Sequence, residues 1–308
     1  MRKKILISGA TGLIGTLLTK NLKDDDYDIT IFTRDIESAK KRNPYASEYV
    51  LWDFHEPESW YKYLEDKYAI VHLAGANLFD KRWTEDYKKV LYNSRVLSTR
   101  NLINAIEKLS KKPELFICAS GISYYGDSGE QILTEDSVPG NDFLAKLTLD
   151  WEKEAAKVEP LGIRRVSVRT GIALSKDSGA LKLMLPIFKL FVGGTPGNGK
   201  QWFPWIHIQD LINIYRFVIE NSSINGPVNA VSANPVTMKE FVKTLGHIMK
   251  RPSIFKVPKF AVKIVLGEFA EYVTVSTRGV PQKLLENNFK FQFGDLEAAL
   301  DDILNKQV

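Results

Sequence analysis

Lys3-Lys4-Ile5-Leu6-Ile7-Ser8-Gly9-Ala10-Thr11-Gly12-Leu13-Ile14-Gly15 is the stretch whose reading decides the fold. Ile5, Leu6 and Ile7 form a short apolar run, the pattern of a strand buried on both faces of a parallel sheet. Three glycines follow at the spacing G-x-x-G-x-x-G, and Leu13, Ile14, Leu17 and Leu18 continue at helical spacing. Strand, glycine turn and helix together are the context that a dinucleotide-binding fingerprint requires. Glycine lets the backbone turn tightly and approach a pyrophosphate, while the free N–H groups at the helix start face the anion. The first glycine stands one residue earlier than in G-x-G-x-x-G, which lengthens the turn, and Thr11 adds a hydroxyl beside the phosphates. Glycine turns also close ordinary helices and hairpins; the flanking strand and helix favour the nucleotide site.

The chain has 308 residues, enough for one large α/β domain and a smaller lobe. With 44% hydrophobic residues it can bury a sizeable core. No apolar run reaches membrane-spanning length, and the start Met1-Arg2-Lys3-Lys4 leads into strand and glycines rather than a signal-peptide core. The single cysteine, Cys118, excludes an intrachain disulfide and a multi-cysteine metal site, and its apolar neighbours favour a buried thiol. No metal site is expected. Net charge is +5, but the basic residues are dispersed and often beside acids. Lys40-Lys41-Arg42 and Lys111-Lys112 read as solvated faces, so neither a nucleic-acid nor a membrane partner is expected. A cytoplasmic location is the default.

Further strands follow in order. Asp28–Thr33 ends at Arg34, the position that often decides the cofactor. A carboxylate there binds the adenosine ribose hydroxyls, whereas an arginine accommodates the 2′-phosphate, so NADP is favoured over NAD. The alternative is an exposed arginine paired with Asp35 or Glu37. Tyr49–Asp53 ends in an acid placed to meet an adenine amino group or, equally, to cap the next turn. Ala69–His72 runs into Leu73-Ala74-Gly75-Ala76, whose small side chains let a cofactor pass close to the strand end. His72, among apolar residues, reads as a core histidine.

Thr84 caps a long helix expected to reach about Leu109. Leu115–Ala119 is the fifth strand, a helix runs from Asp142 to about Val158, and Arg165–Arg169 is the sixth strand. Alternating strands and helices predict a doubly wound parallel sheet. After Ile172 the character changes: an amphipathic helix over 179–191, the loop Gly193–Gly199 suited to a lip over a cleft, and then Trp202, Trp205 and His207. Thr237 with Glu240 makes a capping box. The expected division is a dinucleotide-binding domain over 1–172, with 207–232 returning to it, and a smaller substrate lobe over 173–206 and 233–308.

With these residues assembled, the chain resembles the extended short-chain dehydrogenase/reductases, within them the atypical NAD-dependent epimerase/dehydratase-like branch of YfcH type. The carriers are the Gly9–Gly15 turn, Arg82-Trp83-Thr84, Ser94-Arg95-Val96, Tyr124-Tyr125-Gly126, Arg169-Thr170-Gly171, Gly193-Gly194 and Trp205-Ile206-His207, with Arg251-Pro252 and Gly267-Glu268 further on. The resemblance implies an α/β, Rossmann-like doubly wound sheet binding NADP(H), covered by a smaller C-terminal substrate lobe. It also implies a cofactor set of Gly9, Thr11, Gly12, Leu13, Ile14, Arg34, Asp53, Leu73, Ala74 and Gly75, with Arg169 approaching the nicotinamide side.

The superfamily's catalytic Tyr-x-x-x-Lys falls on Phe143 and Leu147, and its Ser or Thr position on Gly121. Positions i and i+4 share a helix face, so that a lysine there lowers the tyrosine pKa; neither Phe nor Leu can move a proton. Tyr124 and Ser120 are the remaining catalytic candidates, with loop packing and turn hydrogen bonds as the alternative roles. His207, between two isoleucines, is as readily structural as acidic. Two functions follow: an NADP-dependent oxidoreductase or epimerase with an atypical site acting on a small polar substrate, or a non-enzymatic NADP(H)-binding sensor.

Overall fold

Seven parallel strands make the central sheet: β1 (Lys3–Ser8), β2 (Tyr27–Thr33), β3 (Glu48–Leu51), β4 (Ala69–His72), β5 (Leu115–Gly121), β6 (Arg164–Thr170) and β7 (Gly226–Ala230). Their order is β7-β6-β5-β4-β1-β2-β3, so the connections wind outward in both directions from β1 and β4. The computed structural model describes residues 2–305 apart from 24 and 26. This is the Rossmann-like architecture expected from the alternation of strands and helices.

The helices are α1 (Leu13–Lys23), α2 (Ile36–Arg42), α3 (Glu85–Tyr92), α4 (Ser98–Glu107), α5 (Phe143–Ala156), α6 (Gly179–Lys189), α7 (Ile208–Glu220), α8 (Met238–Met249), α9 (Lys259–Leu266) and α10 (Leu296–Asn305), with shorter turns between. Successive strand residues point to opposite faces, and β1 shows it. Ile5 and Ile7 pack with Leu18, Leu22, Ile212 and Tyr215 of α1 and α7. Leu6 packs on the other face with Leu102 and Ile106 of α4 and Leu147 and Trp151 of α5. Both faces are covered, and the central residues of β1, β4 and β5 are accordingly apolar on both sides.

The helix expected over 84–109 is interrupted. Thr84 caps α3, but Asn93–Leu97 widens into a π-helical turn before α4 begins. Local side-chain bonds explain the widening: the Ser94 hydroxyl and Arg95 Nη1 donate to the Leu91 carbonyl, and the Ser98 hydroxyl donates to the Ser94 carbonyl at 2.7 Å. Such back-bonding competes with the regular helix ladder. The capping box at α8 is present in both directions.

A third apolar cluster lies outside the sheet. Leu181 and Phe188 of α6, Phe203, Trp205, Phe241 and Leu300 form its centre. Short strand pairs frame it, Ile172–Leu174 with Trp205–His207 and Gly194–Pro196 with Phe255–Val257. Among the described residues no helix is long and apolar enough to cross a membrane.

Candidate active site

Strand ends Ser8, Thr33, Leu51 and His72 are brought side by side by the register of β1 to β4. The loops that follow them therefore share one edge, and they carry Gly9, Arg34, Asp53 and Leu73. At Gly9 φ is 70°, and an added Cβ would stand 2.7 Å from the backbone of Leu73 and Ala74. At Gly15 it would stand 2.5 Å from Ala10 Cα. Only glycine lets the turn lie this close to β4 and to its own helix. Asn43, fully buried, fixes the turn from outside by donating to the Ala10 carbonyl at 2.8 Å and to Thr19 at 3.0 Å.

Thr11, Leu13 and Ile14 are half-exposed and Gly12 is exposed, so the start of α1 opens to the cleft. A helix N-terminus presents backbone donors without internal acceptors, and the first turn of α1 contains no acid that would repel an anion. Arg34 is exposed and makes no ion pair among the described residues. The two neighbouring carboxylates are otherwise engaged: Asp35 caps α2 through Ser38 N–H, and Glu37 pairs with Lys40 at 3.1 Å. Asp53 is exposed, its Oδ1 accepting from His55 N–H at 2.9 Å. The cradle suits a dinucleotide with an additional phosphate: glycine where the backbone must approach, free N–H groups, and an unpaired guanidinium one strand over.

Loop 73–76 is held from below by the π turn. Ala76 N–H donates to Ser94 Oγ at 3.0 Å, and Arg95 Nη2 donates to the Ala76 carbonyl at 3.0 Å. The Arg95 guanidinium fills the space over Gly75, where a Cβ would meet its Cζ at 3.1 Å. Burial holds its pKa down, to about 10. His72, wholly buried, lies 2.7 Å from Ser8 Oγ and 3.3 Å from Ser98 Oγ; desolvation pushes it down to about 3, so it is a neutral core residue.

The edge made by β5, β6 and α5 is built differently. Ser120 and Arg169 are register partners on β5 and β6, and both turn toward Glu152 of α5. Ser120 Oγ donates to Glu152 Oε1 at 2.5 Å, and Arg169 grips both carboxylate oxygens at 2.8 Å. Arg169 also donates to the Tyr125 hydroxyl at 2.8 Å and the Glu135 carbonyl at 3.1 Å. Its guanidinium is 3% exposed and four of its five N–H donors have protein acceptors. Arg169, which the resemblance places toward the nicotinamide, is thus the bracket of a buried network. Its Cζ lies 3.5 Å from the Tyr124 ring centre, so it braces that half-buried phenol. Burial pushes the Tyr125 hydroxyl up to about 12 and raises the Glu135 carboxyl.

Around the missing Tyr-x-x-x-Lys the packing is apolar. Leu147 is buried, and Phe143 meets Trp83 edge-on at 5.5 Å. Lys88 stands over the Phe143 ring at 5.5 Å and pairs with Glu268 at 2.5 Å. Near Gly121 a hydroxyl is nevertheless present. A Cβ there would meet Ser123 Oγ at 3.0 Å, and that hydroxyl lies 3.2 Å from Thr148 Oγ1. His207 is placed away from this chemistry. It is buried, caps α7 by accepting Gln209 N–H at 3.1 Å, stacks on Phe293 at 3.8 Å and lies 3.4 Å from Asp302.

Comparison with known proteins places the chain in a family. The model of the NAD dependent epimerase/dehydratase family matches residues 5–230, from the first strand to the seventh. The chain belongs to that family. Residues 257–303 match a domain of unknown function, DUF1731. The epimerase family protein YfhF of Bacillus subtilis is 36% identical over 303 residues, 97% of each chain. A chloroplastic SDR39U1 homologue of Arabidopsis thaliana is 34% identical over 97% of this chain and 86% of its own. The structure of human SDR39U1 with NADPH superposes with a TM-score of 0.88 at 31% identity, covering 99% of this chain and 100% of that one.

Sequence reasoning did not single out Asn43, Glu152, Ser123 or Thr148. Asn43 carries a weak signal, as a polar residue ending a short helix before a strand. The others have none, because their partners lie on other elements.

Proposed function

We propose that this chain binds NADPH across the C-terminal edge of β1 to β4 and acts as an oxidoreductase or epimerase on a small polar substrate held under the C-terminal lobe. The observation that carries the cofactor reading is Arg34: an exposed, unpaired guanidinium one strand from the glycine turn, with both neighbouring carboxylates occupied elsewhere. The human relative crystallised with NADPH supports it. In this reading the N–H groups at the start of α1 meet the pyrophosphate, Arg34 the 2′-phosphate and Asp53 the adenine side. Leu73, Ala74 and Gly75 form the floor, which Ser94 and Arg95 keep in place. The cofactor, when bound, supplies hydride chemistry. The chain's own nearest replacement for the absent serine is the Ser123 hydroxyl, oriented by Thr148 and within reach of the same space.

The test is NADPH and NADH affinity by cofactor fluorescence. A hydrogen-bonded charge contact is worth about 1.5–3 kcal/mol, so Arg34→Ala is expected to weaken NADPH about ten- to a hundredfold and leave NADH nearly unchanged. Equal losses for both cofactors would remove the claim. A second reading, a non-enzymatic NADPH sensor, is favoured by one observation: Ser120 is committed to Glu152, and Phe143 and Leu147 are packing residues. Oxidation of bound NADPH by a panel of aldehydes, ketones and nucleotide sugars separates the two. Turnover lowered by Ser123→Ala supports the enzyme, whereas tight binding with no oxidation supports the sensor.

A further inference from the structure

Helix α6 buries Leu181 and Phe188 on the C-terminal lobe, yet its outward face is apolar too. Leu183, Ile187 and Leu190, at spacings of four and three, are 47%, 45% and 73% exposed. A surface helix ordinarily turns polar residues outward. The apolar surface continues through Phe191 and Val192, both exposed, and onto the neighbouring strand. Phe255 pairs with Gly194, and Ile254 beside it is 81% exposed. Arg251 lies 4.3 Å over the Phe191 ring, joining the two segments. Phe260 and Ile264, i and i+4 on α9 just beyond that strand, are exposed as well.

The charge within the two stretches that carry these residues has one sign, with Asp177, Glu240 and Glu268 just outside them. Residues 178–209 and 241–267 contain no Asp or Glu but nine Lys and Arg. Lys182, Lys189, Lys250, Arg251, Lys256 and Lys263 form no ion pair among the described residues. On α10, Asp301 borders a groove beside Lys243 and Arg251, and Glu297 lies 3.7 Å from His247. A patch of this kind marks an interaction site. A second copy of the same face would oppose lysine to lysine. Of the exposed apolar residues only Ile254 lines that groove, whereas Leu183, Ile187, Leu190 and Phe191 stand out from a helix and a turn, which disfavours an inserted peptide.

We infer that this face docks on an anionic lipid surface, with Leu183, Ile187, Leu190 and Phe191 entering the headgroup boundary and Lys182, Lys189 and Arg251 meeting the phosphates. Exposed apolar residues rimmed by Lys and Arg are how a protein lies on a membrane without crossing it. The absence of a membrane-spanning run speaks to crossing alone. The inference is independent of the cofactor reading.

Sedimentation of the full chain with vesicles tests it, using phosphatidylcholine alone and phosphatidylcholine with about one-third phosphatidylglycerol, an anionic mixture. Binding is expected to the anionic vesicles only and to fall as salt rises. The variant Leu183→Ser/Ile187→Ser/Leu190→Ser alters solvent-facing positions, so its circular dichroism should match the parent while partitioning falls about a hundredfold or more. Lys182→Glu/Lys189→Glu should lower it about tenfold or more by a separate route. Retention of the parent in the supernatant, equal binding to neutral vesicles, or no change in both variants would overturn the inference. So would a dimer in solution that the apolar variant abolishes, or capture on polyglutamate as tight as on the vesicles.

Discussion

The two halves of the sheet's C-terminal edge are made from different materials. Along β1 to β4 the site is backbone: a left-handed glycine against the β4 loop, N–H groups at a helix start, and one guanidinium placed by strand register. Along β5, β6 and α5 it is side chains, and these are engaged with one another through Glu152 and Arg169. A site of the first kind is tied to the fold, because strand, turn and helix cannot form without making it. A site of the second kind depends on a few side chains whose replacement leaves the backbone intact. Family membership therefore carries the binding geometry further than it carries the reaction.

The largest expected effect lies in the side-chain half. Arg169→Met would leave the Glu152 carboxylate buried without its cation, which should lower stability by about 3–5 kcal/mol, measured by urea unfolding. The double variant Arg169→Met/Glu152→Met removes both charges and should recover most of that loss. If the single variant costs less than about 1 kcal/mol, the network is not the brace described here.

In the backbone half, Gly9→Ala is the sharper probe. The methyl group meets both a left-handed φ and the Leu73 and Ala74 backbone at 2.7 Å, so about 2–4 kcal/mol of stability should be lost, together with NADPH binding. Gly129→Ala, with a similar φ of 55° and nothing within 4 Å of the added atom, should cost only about 1 kcal/mol and leave binding alone. Equal effects at the two glycines would mean that close approach to β4 does not matter.

This contrast also explains what could be read in the sequence. The strands along the chain, the glycine turn and the place of Arg34 after the second strand follow from short-range pattern, because apolar runs and glycine spacings record backbone geometry directly. The cap at Thr84 was legible for the same reason, but the π turn at Asn93–Leu97 was not. It arises from Ser94, Arg95 and Ser98 bonding back to the helix, which spacing does not reveal. Glu152 looked like one acid in a mixed-charge helix. Its meaning comes from Ser120 and Arg169, brought together only when β5 and β6 pair. The outward face of α6 was hidden by the opposite problem, since its apolar residues count equally well as core until their exposure is known.

His72 sits at the junction of the two halves, paired in register with Ser8 on one side and Cys118 on the other. Its folded-state pKa of about 3 lies below the value of about 6.5 expected when unfolded. Between these limits the unfolded chain binds a proton that the folded chain does not. The contribution to stability is therefore complete above about pH 6.5 and falls by about 1.4 kcal/mol for each unit of acidification toward pH 3. His72→Gln keeps a polar partner for Ser8 but does not titrate. It should start less stable at pH 7, yet lose stability more slowly from pH 6 to pH 4, by about 1.4 kcal/mol per unit relative to the parent. Taking the difference between the two proteins cancels the carboxylates that titrate over the same range. Parallel slopes would mean that His72 carries its proton when folded. The neutral imidazole that bridges Ser8 of β1 and Ser98 of α4 would then have to be redrawn as a charged one.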